Sequence, residues 1–238
     1  MNKRLFTGES LVINETDPFG DGSVKSFYRF DNNMDDSSGN GFNGSKDSGI
    51  TFSTNQVVAG THMLNSMGSA SNKQITLPNS FNANETMTFW IKLLNSGDRA
   101  FYIFQKKTAA YYFLTLEMGV YSGQDKVFAY IRDSTSKYRY ASANIDFTLN
   151  DWSFVTYRYN SSAGTHHFSL NGGTEIQLTS TLANGSVPAV PNTTNTVVGE
   201  RFINGGTFYG TPFHFDHYRS FNRVLTQSEI TQLYNENA

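Results

Sequence analysis

Tyr28-Arg29-Phe30-Asp31-Asn32-Asn33-Met34-Asp35-Asp36-Ser37-Ser38-Gly39-Asn40-Gly41-Phe42-Asn43-Gly44 begins as a strand and passes into a loop crowded with oxygen ligands and glycines. Its counterpart lies far down the chain. Phe213-His214-Phe215-Asp216-His217-Tyr218-Arg219-Ser220-Phe221-Asn222-Arg223-Val224-Leu225 is a strand that carries one carboxylate among aromatics, followed at once by a short amphipathic segment. Together the two stretches describe a closed sandwich with neighbouring ends, in which the bend around Asp36 and the carboxylate of Asp216 meet.

Between them, short runs rich in Phe, Tyr, Val, Ile and Thr alternate with clusters of Gly, Asn and Ser, the punctuation of an all-β protein. The expected strands are 26–30, 73–77, 86–94, 100–105, 112–118, 126–133, 138–141, 153–159, 165–170, 174–177, 196–199 and 213–221. In the third, Met87, Phe89, Ile91 and Leu93 share one face. The other face carries Trp90 and Leu94, so it too needs a cover. One helix is expected, at the C-terminus. Thr226 and Glu229 have capping-box spacing, Leu225 and Ile230 occupy the hydrophobic-staple positions, and Ile230, Leu233 and Tyr234 form an apolar stripe. A helix of about ten residues does not persist alone in water, so it is expected to dock on the sheet.

At 238 residues, 38% hydrophobic and 16% charged, the chain has enough apolar material for one undivided domain. A formal charge of -2 with 18 scattered basic residues argues against nucleic acid and anionic membranes as partners. The absence of cysteine excludes disulfides, thiolate metal sites and cysteine nucleophiles. Residues 1–24, broken by Pro18 and glycines, are read as an arm or leader strand, and 25–238 as the domain. The N-terminus reaches Glu9 and Asn14 before an apolar stretch develops, and no run has transmembrane length, so the chain is not expected to be exported by itself or to insert into a membrane.

In order and spacing these elements resemble the laminin G-like, or concanavalin A-like lectin/glucanase, jelly roll. The likeness rests on Asp36 to Gly41, Ile75-Thr76-Leu77-Pro78, Met87-Thr88-Phe89-Trp90-Ile91, 152–159, the turn at Asn171-Gly172-Gly173, and the closing strand and helix. The fold it implies is a two-sheet antiparallel sandwich with one short C-terminal helix. It also implies a structural calcium where the opening loop meets the last strand. Calcium takes six to eight oxygens, which such a loop can supply. The residues carried over are Asp36, Asn43 and Asp216, with Asn40 as a weaker contributor. His217 stands where relatives often have a second acid, and it is a poor calcium ligand. The same residues also suit Asx turns that need no ion.

The glucanase branch of the resemblance needs closely spaced carboxylates, and no Glu-x-Asp-x-Glu pattern is present. His166 and His167 are adjacent on a strand, so they face opposite ways and cannot share a metal. The chain is therefore read as a non-enzyme. Tyr102, Tyr111, Tyr112, Tyr121, Tyr138 and Tyr140 flank polar turns, where a ring with a wet hydroxyl can stack on a sugar, although edge strands favour tyrosine anyway. The stretch from Asp17 to Ser23 ahead of a jelly roll also resembles lectin-like structural proteins of tailed bacteriophages. That resemblance implies a virion protein of capsid or tail that engages cell-surface glycans, is fastened to other virion proteins through residues 1–24, and is displayed as a symmetric homo-oligomer. The alternatives are an extracellular carbohydrate-binding module of a secreted bacterial protein and a decoration protein without a sugar ligand.

Overall fold

A computed structural model describes residues 14–67, 73–78, 84–94, 101–107, 112–121, 124–132, 138–160, 162–183, 195–203, 206–209 and 212–237. The strands are β1 (Val24–Tyr28), β2 (Ser45–Lys46), β3 (Thr51–Ser53), β4 (Met63–Met67), β5 (Ile75–Leu77), β6 (Asn84–Leu93), β7 (Phe101–Lys107), β8 (Tyr112–Tyr121) and β9 (Gln124–Arg132). They continue with β10 (Tyr138–Asn144), β11 (Trp152–Asn160), β12 (Thr165–Leu170), β13 (Ile176–Ala183), β14 (Asn195–Val198), β15 (Glu200–Ile203), β16 (Gly206–Tyr209) and β17 (Phe213–Phe221). A single helix among the described residues, α1 (Gln227–Asn235), follows.

The expected antiparallel jelly-roll sandwich is what forms. One layer runs β3-β4-β17-β6-β11-β12-β13 and the other β13-β10-β9-β8-β7-β14-β5-β2, while β15 and β16 make a separate ribbon. β13 belongs to both layers: Ile176, Gln177 and Leu178 pair with β12, and Thr179, Ser180, Leu182 and Ala183 pair with β10. β17 lies inside the first layer with β6 on one edge. Its other edge is shared by two strands laid end to end, β4 against Phe213 and Phe215, and β1 against residues 218–221. The join falls at Asp216 and His217, where the β6 register slips and His217 takes a φ of 52°. That is a β-bulge, and it re-aims the strand between its two partners.

The alternation of β6 sorts its residues as expected. Met87, Phe89, Ile91 and Leu93 enter the core between the layers with Val155, Tyr157, Phe215 and Tyr218, against Leu116, Met118, Val127 and Ala129 of the second layer. On the outer face, Trp90, Phe154, Phe27 and Phe221 are covered by Leu225, Ile230 and Leu233, so α1 supplies much of the cover this face needs. The capping box forms as spaced: Thr226 accepts from the Glu229 amide, and the Glu229 carboxylate accepts from Thr226 N at 2.7 Å. Arg223 locks the same carboxylate with bonds of 2.9 and 2.6 Å.

The described part of the N-terminal arm is sewn onto this outer face. Phe19 packs on Phe221 at 5.7 Å between ring centroids, and Gln232 Nε2 donates to Pro18 O at 3.3 Å. Asp21 pairs with Arg223 at 2.8 Å and Glu15 with Arg29 at 2.7 Å. From Asn14 onward the expected arm is therefore part of the domain's own packing. Residues 1–13 lie outside the described residues.

Two substitutions measure what α1 contributes. Thr226→Ala removes the cap and is expected to cost about 0.5–2 kcal/mol. Leu233→Ala opens a cavity under the helix and is expected to cost about 2–5 kcal/mol. Urea unfolding reads both, and a Leu233→Ala effect no larger than a surface substitution would mean that the helix does not cover the sheet.

Candidate functional site

The opening loop folds back on β1 through its Asx residues. Asp36 Oδ1 accepts from Phe27 N at 2.9 Å and Ser38 N at 3.0 Å, and its Oδ2 accepts from Ser38 Oγ at 2.9 Å and Phe42 N at 3.0 Å. Asn43 Oδ1 accepts from Asp36 N at 2.9 Å. Asn40 Nδ2 donates to the carbonyls of Val24 at 3.1 Å and Lys25 at 3.0 Å. Ser37 N donates to Phe27 O at 2.7 Å, so the loop lies along the open edge of β1 as a substitute strand. Phe27 pairs with Arg219, three residues beyond Asp216, so the opening bend does meet the closing strand. They meet through β1. The oxygens of Asp36 and Asn43 expected to bind calcium are taken up by amides and a hydroxyl, and Asn40 acts as a donor.

Asp216 serves another loop. Its side chain is fully buried, with Oδ2 accepting from Val58 N at 3.3 Å. Its other oxygen, Oδ1, has no partner. Burial pushes its pKa up to about 8; the amides of Val58, Ala59 and His217 pull the other way, and nearby Asp31 adds to the rise. Asp31, which sequence reasoning passed over, tethers the far end of the same loop: it accepts from Thr61 N at 2.5 Å, Thr61 Oγ1 at 3.0 Å and His62 N at 3.1 Å. Burial alone would raise the Asp31 pKa, but these bonds from Thr61 and His62 outweigh it and hold the carboxyl below its ordinary value. Gly60, at φ +70°, lies so close that a Cβ would overlap the Asp31 carboxylate. The only sequence signal was a glycine between two short polar runs, which names no partner.

Two acids with pKa values driven apart are the electrostatic signature of acid–base catalysis. Access decides otherwise here. Asp216 is sealed beneath residues 58–59, so the partly exposed Asp31, whose Oδ1 takes all three loop donors, has no second acid beside it within reach of a substrate. The orphaned Asp216 Oδ1, with a second carboxylate beside it, does suit a cation, and this is the part of the calcium expectation that the donor set fits. Among the described residues no group of three or more His, Asp or Glu gathers into a metal centre.

His217 Nδ1 lies 3.3 Å from Asn237 Nδ2, and burial, with Arg219 and Arg29 nearby, depresses its pKa to about 3. It is a neutral packing group against Phe27, with ring centroids 4.9 Å apart. His166 and His167 face opposite ways, as alternation requires. His166 is buried, with Nδ1 2.6 Å from the Tyr157 hydroxyl, and His167 pairs with Glu175. Of the tyrosines proposed for stacking, Tyr111 lies outside the described residues. Tyr102, Tyr112, Tyr121, Tyr138 and Tyr140 are placed by their strands alone, on β7, β8 and β10 of the second layer.

Around the covered face are two surface features. Trp152, Lys92 and His214 stand in one cross-strand row over β11, β6 and β17, and the Trp152 indole N–H donates to Gln56 O at 2.7 Å. At the same end of β11, where Asn171 Oδ1 accepts from Phe154 N at 2.8 Å, the β12–β13 turn and α1 flank an open cleft of about 520 Å³ lined by Gly172, Gly173, Thr174, Glu175, Gln227 and Thr231.

The comparisons agree with this architecture. The family model for the concanavalin A-like lectin/glucanases superfamily matches residues 66–231, and the chain belongs to that superfamily. Among solved structures, the botulinum neurotoxin type G receptor-binding domain aligns with a TM-score of 0.66 at 15% identity, over 90% of this chain and 51% of the other. The binding domain of paraclostridial mosquitocidal protein 1 aligns with a TM-score of 0.65 at 15% identity, over 90% and 52%. The botulinum neurotoxin serotype D ligand-binding domain, in a structure with N-acetylneuraminic acid, aligns with a TM-score of 0.65 at 18% identity, over 90% and 51%. This chain thus spans about half the length of those domains. No curated protein matches it.

The buried neighbours Asp216 and His217 act in opposite directions. The folded pKa of Asp216 is about 8, against an ordinary 3.8, so its stabilising contribution is full below the lower value and is lost as pH rises through about 8. His217 is at about 3 in place of 6.5, so its contribution is full above 6.5 and is lost as pH falls towards 3. Between about pH 6.5 and 8 Asp216 is the one of the two that titrates. In EGTA the melting temperature is expected to rise as pH is lowered through that window, and Asp216→Asn is expected to flatten the rise. An unchanged slope in the variant would refute the assignment. Gly60→Ala is expected to cost at least about 1–3 kcal/mol, from a strained φ and the Asp31 overlap.

Proposed function

We propose that this chain is a non-catalytic, lectin-like module that binds cell-surface glycans and is carried on a bacteriophage virion. What supports the non-catalytic half is the use to which this superfamily member puts six of its described acids. Asp31, Asp36 and Glu229 accept from loop and cap donors, Glu85 and Glu236 pair with Lys25 and Arg219, and Asp216 is sealed from solvent. A carboxylate pair flanking a scissile bond has no counterpart among them. The binding half is carried by the fold's likeness to receptor-binding and ligand-binding domains, one of them in a structure with N-acetylneuraminic acid. The virion half rests on the likeness of the segment from Asp17 to Ser23 to phage structural proteins, with residues 1–13 left to fasten the domain to other subunits. A second reading, a receptor-binding module of a longer secreted protein, is favoured by the half-length overlap with those binding domains.

Calcium enters as a stabilising ion. Asp216 and Asp31 would hold it, with Asp36, Asn40 and Asn43 shaping the neighbouring loop instead. It would supply a charge that satisfies the orphaned Asp216 oxygen, and so tighten residues 56–62 on the sheet.

Two measurements test this reading. On a glycan array the purified chain is expected to retain one class of cell-surface sugar, and a blank array together with association to purified particles would leave a decoration protein in its place. Added calcium is expected to raise the melting temperature, more at pH 8.5 than at pH 5, where the ion must displace a proton from Asp216. The increment is expected to vanish in Asp216→Asn. An identical melting temperature with calcium and with EGTA removes the ion.

A further inference from the structure

We propose that the cleft between the β12–β13 turn and α1 is a subsite for a neutral sugar ring. The inference deepens the lectin reading and rests on it. Three features build the site. The first is a fixed acceptor. Arg158 on β11 and His167 on β12 are cross-strand partners, and both reach the Glu175 carboxylate, which lines the cleft and is 27% exposed. Arg158 is itself buried and donates to Leu225 O, so its charge is spent inside the fold and is not offered to a ligand. A carboxylate held in this way accepts hydroxyl protons without first being ordered, which is the benefit of preorganisation.

The second feature is an acceptor without a donor. The Gln227 amide gives both its protons to the turn, to Gly172 O and Gly173 O at 3.0 Å each, and this sets which way the amide faces. Its Oε1 is then buried with no partner in the structure. Such an oxygen weakens the fold unless something donates to it. The third is shape. Gly172, at φ +65°, lies so close to the Tyr234 ring that an added Cβ would come within 3.0–3.1 Å of it, so the glycine turn packs directly on α1 and leaves the cleft open above. At about 520 Å³ the space falls inside the roughly 300–1,000 Å³ range of small-molecule sites.

The charge balance selects the ligand. The lining presents a carboxylate, turn carbonyls and the hydroxyls of Thr174 and Thr231, so acceptors outnumber donors. An acidic sugar would bring its carboxylate against Glu175. A neutral hexose or N-acetylhexosamine brings hydroxyl donors and no charge, and it matches the lining.

Isotope-labelled protein titrated with galactose, glucose, N-acetylglucosamine, lactose and, separately, N-acetylneuraminic acid tests the site by amide chemical shifts. The expected result is millimolar binding of at least one neutral sugar, with shifts centred on Gly172, Gly173 and Thr174. Thr231 is exposed, so Thr231→Trp fills the cleft from the solvent side. It is expected to weaken that binding roughly tenfold or more while leaving the melting temperature unchanged. Glu175→Gln is expected to weaken it too, but it also releases Arg158, so the tryptophan variant is the deciding one. Shifts elsewhere that survive Thr231→Trp would overturn the cleft and leave the lectin reading standing. Preference for N-acetylneuraminic acid at these amides would overturn the neutral class. No shift with any of these sugars, together with a blank glycan array, would overturn both.

Discussion

Two strands share one edge of β17, and the rest of the molecule is arranged around the break between them. A strand edge offers a continuous row of donors and acceptors, and an interruption in the pairing leaves some of them unmet inside a protein. Here the break coincides with the bulge at His217, and the polar group that fills it is the Asp216 side chain, accepting from the amide of Val58. The loop between β3 and β4 is thereby pinned over the gap, and Asp31 pins its other end. β1 then completes the edge, bringing the opening loop with it. β1 and the last strand are thus one unit, although nearly two hundred positions separate them.

The elements legible in the sequence were those whose evidence is local. Alternation placed Met87, Phe89 and Ile91 in the core, and the spacing of Thr226, Glu229, Leu225 and Ile230 gave the helix, its cap and its docking face. What stayed illegible needed a partner far away. β2, β3 and β4 are only two, three and five residues long, and they are held as strands by pairing with β5, β4 and β17 in turn. β13 extends past its expected end because its second half joins another layer, which periodicity along one strand cannot register.

The opening loop shows the same limit in chemical form. A run of Asp, Asn, Ser and Gly is what a calcium loop requires and equally what a series of Asx turns requires, since both want short side chains bearing oxygen. Asp36 was legible as important but its partners were not, because the composition does not show that its lone pairs meet the amides of Phe27, Ser38 and Phe42. Asp31 and Gly60 escaped notice because their closeness is created by the fold. The cleft beside Glu175 escaped too: its lining comes from a turn and a helix that are neighbours only after α1 docks, and the pairing of Arg158 with His167 depends on strand register.

A strand common to both layers has a mechanical consequence. Ile176, Gln177 and Leu178 are bonded into one layer, and the residues after them into the other, through a backbone with no break. The two halves are therefore hinged like a book along its spine. Whatever yielding the sandwich allows is confined to the side away from that hinge, so a load applied between the layers must first shear a ladder of hydrogen bonds in place of merely parting two greasy surfaces.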